Sequence, residues 1–109
     1  MANVYVVQES KTKNILPAEK YGKLVMLLPD YNLNFMPNVE KLRKQLATFS
    51  DEDYLLLIGD PSGIGIICAI VSDINNGKFK VLKWDRQENK YYVLEVDIEK
   101  EDEDTRYNK

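Results

Sequence analysis

The residues best suited to recognition chemistry lie between Lys78 and Tyr92, where Lys78, Lys80, Lys83, Arg86 and Lys90 are interleaved with Phe79, Trp84, Tyr91 and Tyr92. Cations that meet phosphates and rings that stack on bases are the combination used by readers of single-stranded nucleic acid. Strand parity divides the set. Lys78 and Lys80 point opposite to Phe79 and Val81, so at least one aromatic serves the core instead of a stacking platform. Trp84 stands apart, because a large amphipathic aromatic near a strand end is also a frequent hot-spot residue against protein partners.

The second candidate is the loop Gly59-Asp60-Pro61-Ser62-Gly63-Ile64-Gly65. It follows an apolar strand and precedes a helix-like run, the place where α/β proteins seat ligands and where free N–H groups favour anions. Gly59, Asp60, Ser62 and Gly63 would form such an anion-binding loop. The spacing matches neither the dinucleotide pattern G-x-G-x-x-G nor the Gly-Lys-Ser/Thr ending of a P-loop, and the Asp60 carboxylate opposes a phosphate. The favoured reading is structural: Asp60 and Pro61 cap a helix, and the glycines permit close packing.

The remaining residue types close off chemistry. Histidine is absent, which removes serine triads, Cys-His dyads and His-zinc sites. Cys68 sits in an apolar run with no lysine beside it, so a core thiol is expected. Asp51, Glu52 and Asp53 lack the alternating ligands and central glycine of a calcium loop. No carboxylate pair lies in an apolar setting that would separate two pKa values. No catalytic residue, metal or cofactor is therefore expected.

The elements that must position these residues follow from hydrophobic periodicity. Val4-Tyr5-Val6-Val7 reads as a first strand, and Ser10 to Tyr21 as a polar surface loop pinned by Ile15 and Leu16. Leu24 to Leu28, continuously apolar up to Pro29, predicts a strand buried on both faces. Val39, Leu42, Leu46 and Phe49 recur at helical spacing, with Pro37 suited to the first turn and Glu40 placed to pair with Lys44. Tyr54 to Ile58 predicts a buried central strand. Ser62 to Ile74 admits two structures: the Asp60-Pro61 pair and the length favour a helix, whereas Ile64, Ile66, Ile67 and the Asn76-Gly77 turn signal favour strand. The helix is preferred, with Gly63, Gly65 and Ala69 letting it lie close to the sheet. Lys78 to Trp84 and Tyr91 to Ile98 form a hairpin, in which Tyr92, Leu94, Val96 and Ile98 share one face.

The expected order is β-β-α-β-α-β-β, a small α/β domain with a mixed, mostly buried sheet and a C-terminal β-hairpin. A chain of 109 residues with 44% hydrophobic and 30% charged content suits one domain, placed at 1–98. Residues 99–109 read as an acidic flexible tail. Residues 1–94 carry 12 Lys or Arg against 11 Asp or Glu, while 95–104 carry 1 against 7, so the net charge of −3 belongs to the C-terminal end. The body keeps a locally basic hairpin. A lone cysteine suits a reducing cytoplasm, and the opening Met1-Ala2-Asn3-Val4-Tyr5 has neither the basic start nor the apolar stretch of a secretory leader. No stretch is long enough to span a membrane.

In the block Tyr54-Leu55-Leu56-Leu57-Ile58-Gly59-Asp60-Pro61, in Ile64-Gly65 and in Leu82-Lys83-Trp84-Asp85-Arg86, together with the opening Val4 to Ser10, the chain resembles small uncharacterised proteins encoded by marine tailed bacteriophages. The resemblance implies a cytoplasmic protein of an infected bacterium, of a kind that often binds and redirects host machinery, and it transfers no catalytic residue. The leading expectation is a non-enzymatic interaction module. It binds a host or phage protein through Lys78, Lys80, Lys83, Trp84, Arg86, Lys90 and Tyr91, and its edge hairpin could also pair with a second copy. Two alternatives stand beside it: single-strand nucleic-acid binding through the same cations, and nucleotide binding at Gly59 to Gly65.

Overall fold

β-Branched and aromatic residues dominate the opening strand, β1 (Asn3–Gln8), and its two faces enter two different cores. Tyr5 and Val7 face one way, Val4 and Val6 the other, and all four are buried. Such a strand belongs in the middle of a sheet covered on both sides. In the computed structural model, which describes residues 1–10, 13–29 and 38–99, it takes that place.

The other strands are β2 (Lys23–Leu28), β3 (Tyr54–Leu56), β4 (Lys78–Asp85) and β5 (Lys90–Asp97), arranged in the order β2-β1-β3-β4-β5. The first four run parallel, and β5 returns antiparallel to β4. The sheet is mixed, as expected for an α/β domain ending in a hairpin. Because the order reverses at β1, crossovers of one hand must lie on opposite faces of the sheet. They do so here. A short 3-10 helix, Leu16–Tyr21, links β1 to β2 and packs Ala18 against Val4, Val6 and Leu56. Helices α1 (Val39–Gln45) and α2 (Pro61–Ile74) pack Leu42, Ile67, Ile70 and Val71, together with Leu46 just past the end of α1, against Tyr5, Val7, Leu55 and Val81 on the other side.

Local chemistry explains the helix starts. The Asn38 side chain accepts from Lys41 N–H at 3.0 Å and caps α1, and Glu40 reaches Lys44 at 3.6 Å. Asp60 accepts from Ser62 N–H at 3.1 Å with Pro61 as the first helical residue, so the capping pair outweighs the β-branched isoleucines and the Ser62–Ile74 stretch is helical. Asn76 and Gly77, with φ of 56° and 77°, then form the reversal into β4.

Several details differ from the sequence reading. β2 is an edge strand rather than one buried on both faces, with Met26 exposed, because a run of apolar residues is equally compatible with an edge that two layers partly cover. The stretch before it holds the 3-10 helix, whose buried residue is Ala18 while Leu16 lies in solvent. β3 stops at Leu56, where Ile58 N–H turns back to the Leu56 carbonyl at 3.0 Å. Val39 starts α1 on its exposed side. Gly63 does allow close approach, since a Cβ there would lie 2.8 Å from Leu28 Cδ1, but a Cβ on Gly65 would meet nothing within 4 Å. Pro37 and residues 100–109, hence most of the expected acidic tail, fall outside the described residues.

Candidate functional site

The hairpin β4–β5 pairs without a bulge from Lys78↔Asp97 to Asp85↔Lys90, and this register sorts the candidate residues onto two faces. Lys78, Lys80, Trp84 and Tyr91 lie on the side of the 3-10 helix; Lys83, Lys90, Tyr92, Leu94 and Val96 lie on the α2 side. Arg86 is exposed in the turn, where Asp85 Oδ1 accepts from Gln87 and Glu88 N–H at 2.9 and 3.2 Å and Asn89 adopts a φ of 53°. The cations therefore do not share one face. Three of them also stand opposite carboxylates in the register, Lys78 against Asp97, Lys80 against Glu95 and Lys90 against Asp85.

On the 3-10 side the aromatics form a connected array. Lys80 Nζ sits 4.2 Å from the Tyr54 ring centre, and Tyr54 meets Tyr21 edge-on at 5.4 Å. Tyr21 donates its hydroxyl to the Tyr91 carbonyl at 2.9 Å, and the buried Tyr91 ring supports Trp84 edge-on at 4.9 Å. Trp84 remains 42% exposed at the end of this array. Tyr91 itself is an internal support rather than an exposed contact, and Tyr21 and Tyr54 are members that no local pattern near the hairpin could show. They arrive from other elements. A concavity of about 950 Å³ follows the hairpin, with Leu57, Cys68, Phe79, Val81, Leu94 and Val96 among its lining and Lys83, Trp84 and Arg86 at one end.

At the switch point between β1 and β3, where doubly wound sheets open a ligand crevice, this protein places Gln8. The side chain is buried, and its Oε1 accepts from Asp60 N–H at 2.7 Å. A Cβ on Gly59 would come within 2.4 Å of Gln8 Cβ. The four residues of the expected anion loop thus have packing partners of the chain's own: Gly59 against Gln8, Asp60 on Ser62, Gly63 against Leu28. Gln8 was invisible to motif reading because it lies 52 positions from its bonding partner.

The acidic turn is likewise structural. Asp53 is buried and accepts from Asn3 and Ser50 N–H, each at 2.9 Å, which ties the start of β1 to the turn before β3. Among the described residues no three His, Cys, Asp or Glu side chains converge as ligands of a metal ion would. No described helix is long and apolar enough to cross a membrane.

Burial pushes the Cys68 thiol above its ordinary value and does the same to the Tyr91 phenol. In the alkaline range above about pH 8.5 the unfolded chain loses these protons first, so the native state binds more protons and stability falls as pH rises. The contribution is complete below that range. Urea midpoints measured from neutral to alkaline pH should decline, and Cys68→Ala should make the early part of the decline shallower; equal slopes for the two proteins would show that the thiol is not desolvated.

The model of a family described as Phage Pam3 gp32-like protein matches residues 2–98, a span that takes in every strand and α-helix among the described residues. No curated protein and no solved structure matches the chain.

Proposed function

This chain belongs to the Phage Pam3 gp32-like protein family, and on that premise we propose that it is a non-enzymatic interaction module, a phage accessory protein that binds a host or phage protein. The carrying observation is Trp84. A half-exposed indole held edge-on by the buried Tyr91, with Lys83 and Arg86 beside it in sequence, is an ordered amphipathic anchor that loses little freedom on binding. The proposal extends to a marine tailed phage, to the cytoplasm of its infected bacterium as the place of action, and to redirection of host machinery. A single cysteine suits that reducing compartment.

A protein partner is favoured over an oligonucleotide because the hairpin cations divide between two faces and Lys78, Lys80 and Lys90 stand opposite carboxylates. Electrostatic capture of a strand needs one continuous basic track. Affinity capture from the natural host tests the reading: a species retained by the native protein should be lost or weakened at least ~10-fold with Trp84→Ala, the scale of a hot spot worth about 1.4 kcal/mol or more. Equal capture by both proteins rejects Trp84 as the anchor. A labelled oligonucleotide should show no salt-dependent binding. Binding that weakens with salt, and again with Lys80→Glu and Lys83→Glu together, would transfer the surface to nucleic acid.

A further inference from the structure

β5 ends the sheet, and its pairing to β4 is unbroken along eight residues without proline. Ile98 N–H donates inward to the Gly77 carbonyl at 2.9 Å. By the alternation of an antiparallel ladder, the backbone groups of Tyr92, Leu94 and Val96 also face β4, and those of Tyr91, Val93, Glu95 and Asp97 face outward. No backbone among the described residues pairs with them, although the Tyr91 carbonyl already accepts from the Tyr21 hydroxyl at 2.9 Å, so the open ladder is centred on Val93 and Glu95. Edge strands are ordinarily blunted by proline, bulges or charged side chains, and here Glu95 is the single charge between Tyr91 and Val96. Here the middle of the strand reads Tyr91-Tyr92-Val93-Leu94-Glu95-Val96, with Tyr92, Val93 and Leu94 all exposed. On the opposite edge, Leu27 and Leu28 of β2 are buried by the layers above them.

We infer that this edge pairs with the same edge of a second copy, antiparallel about a two-fold axis at Leu94, joining two five-stranded sheets into one continuous sheet. Two conditions limit the register. A two-fold axis normal to the sheet keeps each face continuous only if residues of like parity oppose each other, and the hydrogen-bonded pairs must be the outward-facing residues. Centring on Leu94 meets both: Val93 faces Glu95 in bonded pairs and Tyr91, whose carbonyl Tyr21 holds, is set across from Asp97, while Leu94 faces its own copy and Tyr92 faces Val96.

Side-chain chemistry then chooses among the permitted registers. Centring on Glu95 would set two carboxylates directly opposite, and centring on Val93 would set Lys90 against Val96. At Leu94 the apolar stripe Tyr92-Leu94-Val96 meets itself and continues the row formed by Phe79 and Val81. Charge agrees with direction. Lys90 opens the strand and Glu95, Asp97 and Glu99 close it, so an antiparallel partner brings unlike ends together whereas a parallel one would bring like ends together. Trp84 lies on β4 and on the opposite face, so it stays accessible in the dimer and this inference does not rest on the partner reading.

The test is sedimentation across a wide concentration range, combined with cross-linking. The native protein should move from 12.7 kDa toward twice that mass as concentration rises. Leu94→Lys, at a side chain already in solvent, should remain monomeric with an unchanged circular dichroism spectrum, because two ammonium groups would oppose each other across the axis. In a Cys68→Ala background, Leu94→Cys should form a disulfide with its own copy on mild oxidation. The Cα separation of a non-bonded antiparallel pair, about 4.5 Å, lies inside the disulfide range of roughly 4.4–6.8 Å. Val93→Cys, placed across from Glu95, should not. A monomer at every concentration overturns the inference, as does a dimer that survives Leu94→Lys or cross-links equally through position 93. Trp84→Ala should leave the dimer intact, which separates this result from that of the capture experiment.

Discussion

Replacing Gly59 by alanine is expected to destabilise the protein by about 3 kcal/mol or more, the combined scale of a strained backbone and an overpacked core. Gly59 has a φ of 122°, a conformation that side chains rarely tolerate. Its added Cβ would also lie 2.4 Å from Gln8 Cβ and 2.6 Å from Gln8 Oε1. Gln8 cannot swing aside cheaply, since it is 2% exposed and its Oε1 holds the Asp60 N–H. Urea unfolding followed by Trp84 fluorescence measures the effect, with Gly65→Ala as the internal contrast. A Cβ at Gly65 meets nothing, and α2 should gain roughly 0.5–1 kcal/mol from the better helix former. If Gly59→Ala proves neutral, the glycine is not there for packing and the loop regains its claim to a ligand.

Ile67→Ala should cost about 2–5 kcal/mol, and Ile67→Val only about 0.5–1.5. The side chain is wholly buried, in the cluster that joins α2 to Tyr5, Val7, Leu55 and Val81. Truncation there opens a cavity between a helix and a central sheet, where neighbours on regular elements collapse little. A loss from Ile67→Ala no larger than that from Ile67→Val would mean that α2 does not dock on β1 and β3 as described.

The hairpin was legible from its two β-rich runs and from Asn89 in the turn, and α2 from its capping pair. The same residues that misled about β2 show where such reading stops. Leu24 to Leu28 would look alike in a central strand and in an edge covered by partial layers, since local hydrophobicity records burial of a side chain and not the neighbour that supplies it. For the same reason the candidate cations read as one patch along the chain. Parity separated Lys78 and Lys80 from Phe79, but only the β4–β5 register shows that Lys80 covers Tyr54 and stands opposite Glu95.

By itself, then, the sequence determined where most strands and helix α1 fall and that histidine chemistry is missing, while it left Ser62 to Ile74 open between helix and strand, because caps, turn residues and periodicity act within a few residues and an absent histidine is absent from any fold. Tertiary structure decided the strand order β2-β1-β3-β4-β5, the burial of Tyr91 beneath an exposed Trp84, and the occupation of the switch point by Gln8. Each of these depends on partners tens of residues apart. Which of several apolar runs becomes the centre or the edge of a sheet is set by the packing of all of them together, and that choice leaves the unpaired edge of β5 and the exposed indole as the surfaces through which this phage protein is proposed to act.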